Sequence, residues 1–134
     1  MSPRMEGKYE IKSWDEKPYW EGENGAKLTR ASITESITGD FEGDTSTETL
    51  MSYTEDGTAS YVSLMRFVGR IGDRSGSFVE QSTGTYDGTQ ASSTSVVVPG
   101  SGTDGLKGMT GRGSSVSTHD DYPFRPFTLD YEFE

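Results

Sequence analysis

No cysteine occurs anywhere in the 134 residues. A disulfide scaffold, a thiolate zinc site and a cysteine nucleophile are therefore excluded. Basic residues are few, twelve Lys and Arg against twenty-two Asp and Glu, for a formal net charge of −10. A nucleic acid would meet a repulsive field, so no nucleic-acid partner is expected. Long apolar runs are missing as well. Nothing approaches the roughly 18 residues of a spanning helix, and MSPRMEGKYE has no apolar stretch behind its charges. Neither a membrane span nor a secretory leader is expected, and the chain reads as cytoplasmic.

Histidine is nearly absent too: His119 is the only one. Two acidic neighbours, Asp120 and Asp121, follow it, but adjacent carboxylates do not converge easily on one ion, and a facial triad needs two histidines. No metal and no cofactor are expected. A Gly-x-Ser-x-Gly elbow is lacking, and PGSGTDGLKG carries no Gly-Lys-Ser/Thr and no following helix, so it reads as a hairpin or bulge rather than a phosphate loop.

What is present is glycine, seventeen of them, interleaved with Ser, Thr and alternating apolar residues. The length suits one domain, 1–134, and the period of the alternation is two, which is strand texture. Ala31, Ile33, Ile37 and Phe41 share one face. From 60 to 71 the odd positions carry Tyr61, Met65, Phe67 and Ile71 and the even ones Val62, Leu64 and Val68, which reads as burial on both sides. This doubly apolar strand motivates an expectation of self-association, as a dimer or trimer. Phe127, Leu129, Tyr131 and Phe133 alternate inward along a closing strand. Eight strands are predicted, near 6–14, 27–39, 43–54, 58–71, 75–86, 89–98, 105–118 and 126–133, with turns at Asp56-Gly57, Gly72-Asp73, Asp87-Gly88 and Pro99-Gly100. Long strands joined by short turns dispose of their edges by closing, so the fold class is all-β, an eight-stranded antiparallel barrel.

Charges that interrupt apolar strand faces are the informative ones, because a barrel interior tolerates them only when paired. Glu35 interrupts the Ala31 face, Arg66 the Val62 face, and Glu80 lies between Phe78 and Ser82. Each faces either the lumen or solvent and an interface. In the lumen, Glu80 or Glu35 would have its pKa raised into the range of a general acid or base, and Arg66 would hold a carboxylate or a developing oxyanion. Tyr53 and Tyr61 flank a hairpin turn, as wall hydroxyls or as ordinary packing. Trp14 either plugs the core or belongs to a lid with Trp20, and the aromatic loop 117–127, with Tyr122, Phe124 and Phe127, is a second lid candidate or a subunit contact.

The segments SWDEKPY (13–19), LTRASIT (28–34), YTEDGTASYVSLMRFVG (53–69), RSGSFVEQSTGTYDG (74–88), VVPGSGTDGLKG (97–108) and FTLDYEF (127–133) together resemble a bacterial domain family of unknown function with the allene-oxide-cyclase-like barrel. The resemblance implies a calycin-like barrel with an apolar cavity, often self-associating. Related barrels include plant allene oxide cyclases and natural-product cyclases, which fold a reactive apolar substrate for ring closure. The chain departs from the family at Ser82, where many members carry His, and at Ser95, where Trp is frequent. The resulting expectation is a cofactor-free cyclase or isomerase acting on a small apolar or polyketide-like molecule. Its catalytic residues would be Glu80, Glu35 and Arg66, and its substrate-binding residues Tyr53, Tyr61, Met65, Phe78, Ser82 and Trp14. The alternative is a non-catalytic binding barrel or an oligomeric scaffold.

Overall fold

The computed structural model describes residues 4–121 and 124–133, apart from the side chain of His119. Eight antiparallel strands run β1 Arg4–Glu21, β2 Lys27–Gly39, β3 Phe41–Tyr53, β4 Ala59–Ile71, β5 Arg74–Tyr86, β6 Gln90–Val97, β7 Met109–Thr118 and β8 Phe124–Phe133. Each pairs with its sequence neighbours, and β1 pairs with β8, so the sheet closes on itself without a crossover. Gly72 shows why the turns fall where they do. It is the first of two residues between the paired Ile71 and Arg74, at φ +61°, a left-handed conformation that side-chain-bearing residues rarely adopt.

The register places the odd positions of β4 inward and its even positions outward. Val62, Leu64 and Val68 are 49%, 55% and 46% exposed, so the even face expected to be buried lies on the outside of the wall. Arg66 shares that outward row and is exposed; it does not enter the lumen. Alternation with apolar residues on both faces cannot tell inside from outside. Closure of the barrel decides it, because only the row with Phe67 and Met65 meets other strands' side chains across the interior.

One end of the barrel is solid. Tyr9, Phe41, Phe67, Phe78 and Phe127 gather toward the β2–β3 and β4–β5 turns, with ring centres 5.0 Å apart for Phe67 and Phe78 and 5.3 Å for Phe41 and Phe127. Room for the Phe67 ring comes from Gly43 and Gly69, which face each other across β3 and β4; a Cβ on either would lie 2.9 Å from it. Phe78, expected to touch substrate, is 1% exposed within this cluster, so it is a core residue.

Two strand boundaries differ from the sequence reading. Residues 105–108 are not the start of β7 but the end of a loop, 98–108, folded back over β5, where the Thr103 N–H donates to the Ser77 carbonyl at 2.9 Å. Gly76 permits this approach, since a Cβ there would sit 2.1 Å from the Thr103 carbonyl oxygen, and the loop delivers the fully buried Leu106 as a plug. The second difference is β1, which runs to Glu21, so the segment from Trp14 to Trp20 is wall strand. Register shifts between Ile11 and Ser13 and between Pro18 and Trp20 let it follow β2, while among the described residues its pairing with β8 runs from Arg4 to Glu10. Among the described residues, no helix is long and apolar enough to cross a membrane.

Candidate functional site

The half of the barrel that the core leaves unfilled is a cavity of about 350 Å³, opening toward the β3–β4 and β5–β6 turns. Its walls differ because the inward rows of the strands differ. β2, β3 and β4 supply Ile33, Met51 and Met65 together with Glu35, Thr47, Thr49 and Ser63, whereas β5, β6 and β7 supply Ser82, Ser93, Ser95, Ser115 and Ser117. A molecule inside has one mixed flank and one lined chiefly with hydroxyls.

Two carboxylic acids and one guanidinium reach the lumen among the described residues, with tyrosines beside them. Glu35, inward on β2, is 4% exposed and accepts a 2.9 Å hydrogen bond from Arg125 Nη2 of β8. Tyr9 on β1 lies between these strands, and the Arg125 guanidinium carbon sits 3.9 Å from its ring centre. Burial works against the charge on Arg125, but Glu35, Tyr9 and Glu80 overcome it and raise its pKa. Burial pushes the Tyr9 hydroxyl far up, and the nearby Glu80 pushes it further.

Glu80, inward on β5, completes the group. Burial raises its carboxyl above the ordinary 4.5, the field of Glu35 reinforces the rise, and a hydrogen bond to Ser95 and the charge of Arg125 oppose it. The lumen thus holds one matched ion pair and a second carboxyl biased toward its protonated form, which can give up a proton while Arg125 steadies the carboxylate left behind.

Of the residues singled out from the sequence, Glu80, Glu35, Tyr53, Tyr61, Met65, Ser82 and Trp14 all line this cavity, while Arg66 and Phe78 do not. Two of the tyrosines are less free than expected. Tyr53 Oη donates to Glu16 Oε2 at 2.6 Å, and Trp14 Nε1 and Thr29 Oγ1 donate to the same carboxylate at 2.9 and 2.8 Å. Burial of Glu16 resists its charge, yet these three donors hold its pKa below the usual value, and burial together with Glu16 drives the Tyr53 hydroxyl up. Tyr53 and Trp14 therefore form a cross-braced rim, and Trp14, 48% exposed, is neither core plug nor part of a separate lid. Ser82 shares a short hydrogen bond with Ser63, and Ser95 is the partner of Glu80. Phe124 also lines the mouth. Tyr122 and the side chain of His119 lie outside the described residues.

Arg125 is the site residue the sequence reading passed over. The inward row Phe127, Leu129, Tyr131 and Phe133 reaches it when extended back by two, but Pro123 and Pro126 make the segment read as loop. Pro126 is tolerated because the ladder to β7 ends at Thr128, so no N–H is required of it on that side.

Tyr61 has its own fitting. Its ring lies over Gly84 on the neighbouring strand, where a Cβ would come within 2.4 Å of the ring and 2.6 Å of the Ser92 carbonyl oxygen, and its hydroxyl engages Ser93. Gly84→Ala is expected to destabilise the protein by about 1–3 kcal/mol and to press Tyr61 into the lumen. Equilibrium denaturation of the variant checks this; a loss below about 0.5 kcal/mol would contradict the packing.

Among the described residues, no three or more His, Asp and Glu side chains gather in a way that could hold a metal ion.

Compared with known proteins, residues 5–131 match the family described as DUF3224, protein of unknown function. A crystal structure of a protein of unknown function from the DUF3224 family of Shewanella oneidensis MR-1 is similar over 100% of this chain and 99% of that one, at 27% identity and a TM-score of 0.80. No curated protein matches the chain.

Proposed function

The chain belongs to the DUF3224 family, and on that footing we propose that it is a small cofactor-free enzyme whose lumen binds a largely apolar molecule and promotes its isomerisation or cyclisation. The observation that carries this reading is Glu80: a half-buried residue facing a cavity large enough for a small metabolite, its carboxyl pKa raised by its partial removal from water. Protonation of a carbonyl, enone, alkene or epoxide by Glu80 generates an electron-poor centre within the ligand. A bond shift or ring closure satisfies it, and the Glu80 carboxylate recovers a proton from another ligand atom. The balance closes without a co-reactant, because one proton enters and one leaves. The part first assigned to Arg66 falls to Arg125, which opposes the negative charge on Glu80 between the two transfers. Confinement between the Met65 wall and the serine wall supplies the remaining effect, by limiting the ligand to conformers near the product.

The test begins with protein purified from its native host. Compounds released on heating are identified by mass spectrometry and returned to fresh wild-type and Glu80→Gln protein. Isomerisation or cyclisation leaves the mass unchanged, so the expected result is a shift in chromatographic retention at constant mass, made slowly or not at all by Glu80→Gln. A compound that both proteins bind and neither converts would replace the enzyme with a carrier barrel.

A further inference from the structure

The lumen is short of positive charge. Two carboxyl groups, Glu35 and Glu80, line it against one guanidinium, Arg125, the only cation among the described lining residues. Arg125 is already engaged: its Nη2 donates to Glu35 at 2.9 Å, and its guanidinium carbon lies 3.9 Å from the Tyr9 ring centre. Among the described residues Glu80 is left without a counter-charge of its own. It is half-buried, inward on β5 and part of the cavity lining, so the surface it keeps is open to whatever occupies the cavity. Ser95 supplies one hydrogen bond, and a carboxylate can accept about four.

Aromatic rings make up much of the remaining wall, Tyr9, Trp14, Tyr53, Tyr61 and Phe124 among them, and the face of each ring is electrostatically negative. Three of these rings hold cations of the protein itself: Arg125 over Tyr9, Lys27 Nζ 4.9 Å from the Tyr53 ring centre and Lys8 Nζ 4.6 Å from that of Phe124. Met51 and Met65 add polarisable, uncharged thioethers. The whole chain, at −10, draws cations toward the opening. An entering anion meets a surplus carboxyl, a guanidinium already paired and ring faces of its own sign.

We propose that the lumen is a cation site, in which the positive centre of the ligand lies against the Glu80 carboxylate and the carbon frame runs past Met65 toward Tyr61. Met65 stands opposite Glu80 in the β4–β5 register, and Tyr61 lies two inward positions nearer the β3–β4 turn, on the side of the opening. The inference rests on the lumen being the ligand site proposed above and adds the charge that the site accepts. The electron-poor centre left on the ligand when Glu80 gives up its proton is the cation the lumen holds, and a ready-made ammonium takes the same place. Where Glu80 holds a proton, an arriving ammonium sends that proton to solvent, so the charge of the lumen stays balanced.

The probe is benzyltrimethylammonium, compared with neopentylbenzene, its uncharged isostere, and with phenylmethanesulfonate, an anion of similar size. NMR titration of wild type is expected to show saturable binding of the cation, about tenfold tighter than of the neutral isostere, and no binding of the sulfonate. Glu80→Gln keeps the shape and loses the charge, so it should bind the cation about tenfold more weakly and neopentylbenzene about as well as wild type does. The ¹³C resonance of the Glu80 carboxyl, followed at the pH of its own midpoint, should move toward the carboxylate position when the cation is added and stay in place with neopentylbenzene. A cation caught by carboxylates on the outer surface would leave that resonance unmoved and overturn the inference. So would cation binding unchanged in Glu80→Gln, or sulfonate bound as tightly as the ammonium. Neopentylbenzene bound with the ammonium excluded overturns it while leaving an apolar ligand site standing. Neither compound bound by wild type overturns it too, and leaves the enzymatic reading to the native-host experiment.

Discussion

Replacing Arg125 with leucine is expected to destabilise the protein by about 3–5 kcal/mol, the cost of leaving a buried carboxylate without its partner. Glu35 is 4% exposed on β2, and its recorded side-chain partner is the guanidinium 2.9 Å away on β8. The fold has already desolvated the Glu35 carboxylate, while Arg125 keeps about a third of its side chain exposed, so removing Arg125 leaves the buried partner uncompensated. The Tyr9 ring loses its cation at the same time. Replacing both members, Glu35→Leu with Arg125→Leu, is expected to recover most of the loss, since two apolar side chains fill the space without a stranded charge. Denaturant midpoints of the two single variants and the double variant form the cycle that measures this. Additive losses of the two single changes would contradict it. The pair is therefore poor evidence of stability for its own sake, and its position against the lumen argues that it is kept for the electrostatics of the site.

Glu80→Gln is expected to lower turnover of the lumen ligand about 10²–10⁴-fold, the contribution of a positioned general acid or base, with little change in binding. Glutamine keeps the shape and can still hydrogen-bond Ser95, but it has no proton to transfer. The same substitution has a signature in stability that needs no substrate. Because burial raises the folded-state pKa of Glu80 above its unfolded value near 4.5, the folded protein holds this proton more tightly than the unfolded chain. Its contribution is fully present below about pH 4.5 and is lost as the pH rises through the folded pKa. Glutamine does not titrate, so Glu80→Gln should gain relative to wild type over that rise and hold a constant advantage above it. Melting temperatures of the two proteins across pH check the sign; an advantage that shrinks as pH rises would contradict it.

The residues divide clearly into those legible from the sequence and those that are not. Ala31, Ile33, Glu35 and Ile37 alternate with hydroxyls, so period two puts Glu35 on the apolar row, and closure of the barrel turns that row inward. Glu80 shares a row with Phe78 and Ser82 in the same way, and closure again decides its side. Arg66 sits on a strand whose two faces are equally apolar, and there the sequence holds no information about which face turns inward; the closed barrel supplies it. Phe78 was legible as inward, but its depth was not. Which end of a barrel is packed depends on where Phe41, Phe67 and Phe127 meet across strands far apart in the chain. Arg125 was hidden by two prolines, although the inward row of β8 pointed to it.

The central claim is that the lumen holds Glu80 as a carboxyl with a raised pKa beside a satisfied ion pair. Its most direct test is a ¹³C NMR titration of the Glu80 side-chain carboxyl in the folded protein, in the absence of ligand. The expected midpoint lies above the ordinary value of 4.5. A midpoint at or below that value would mean that the lumen does not favour the protonated carboxyl, and would contradict the account.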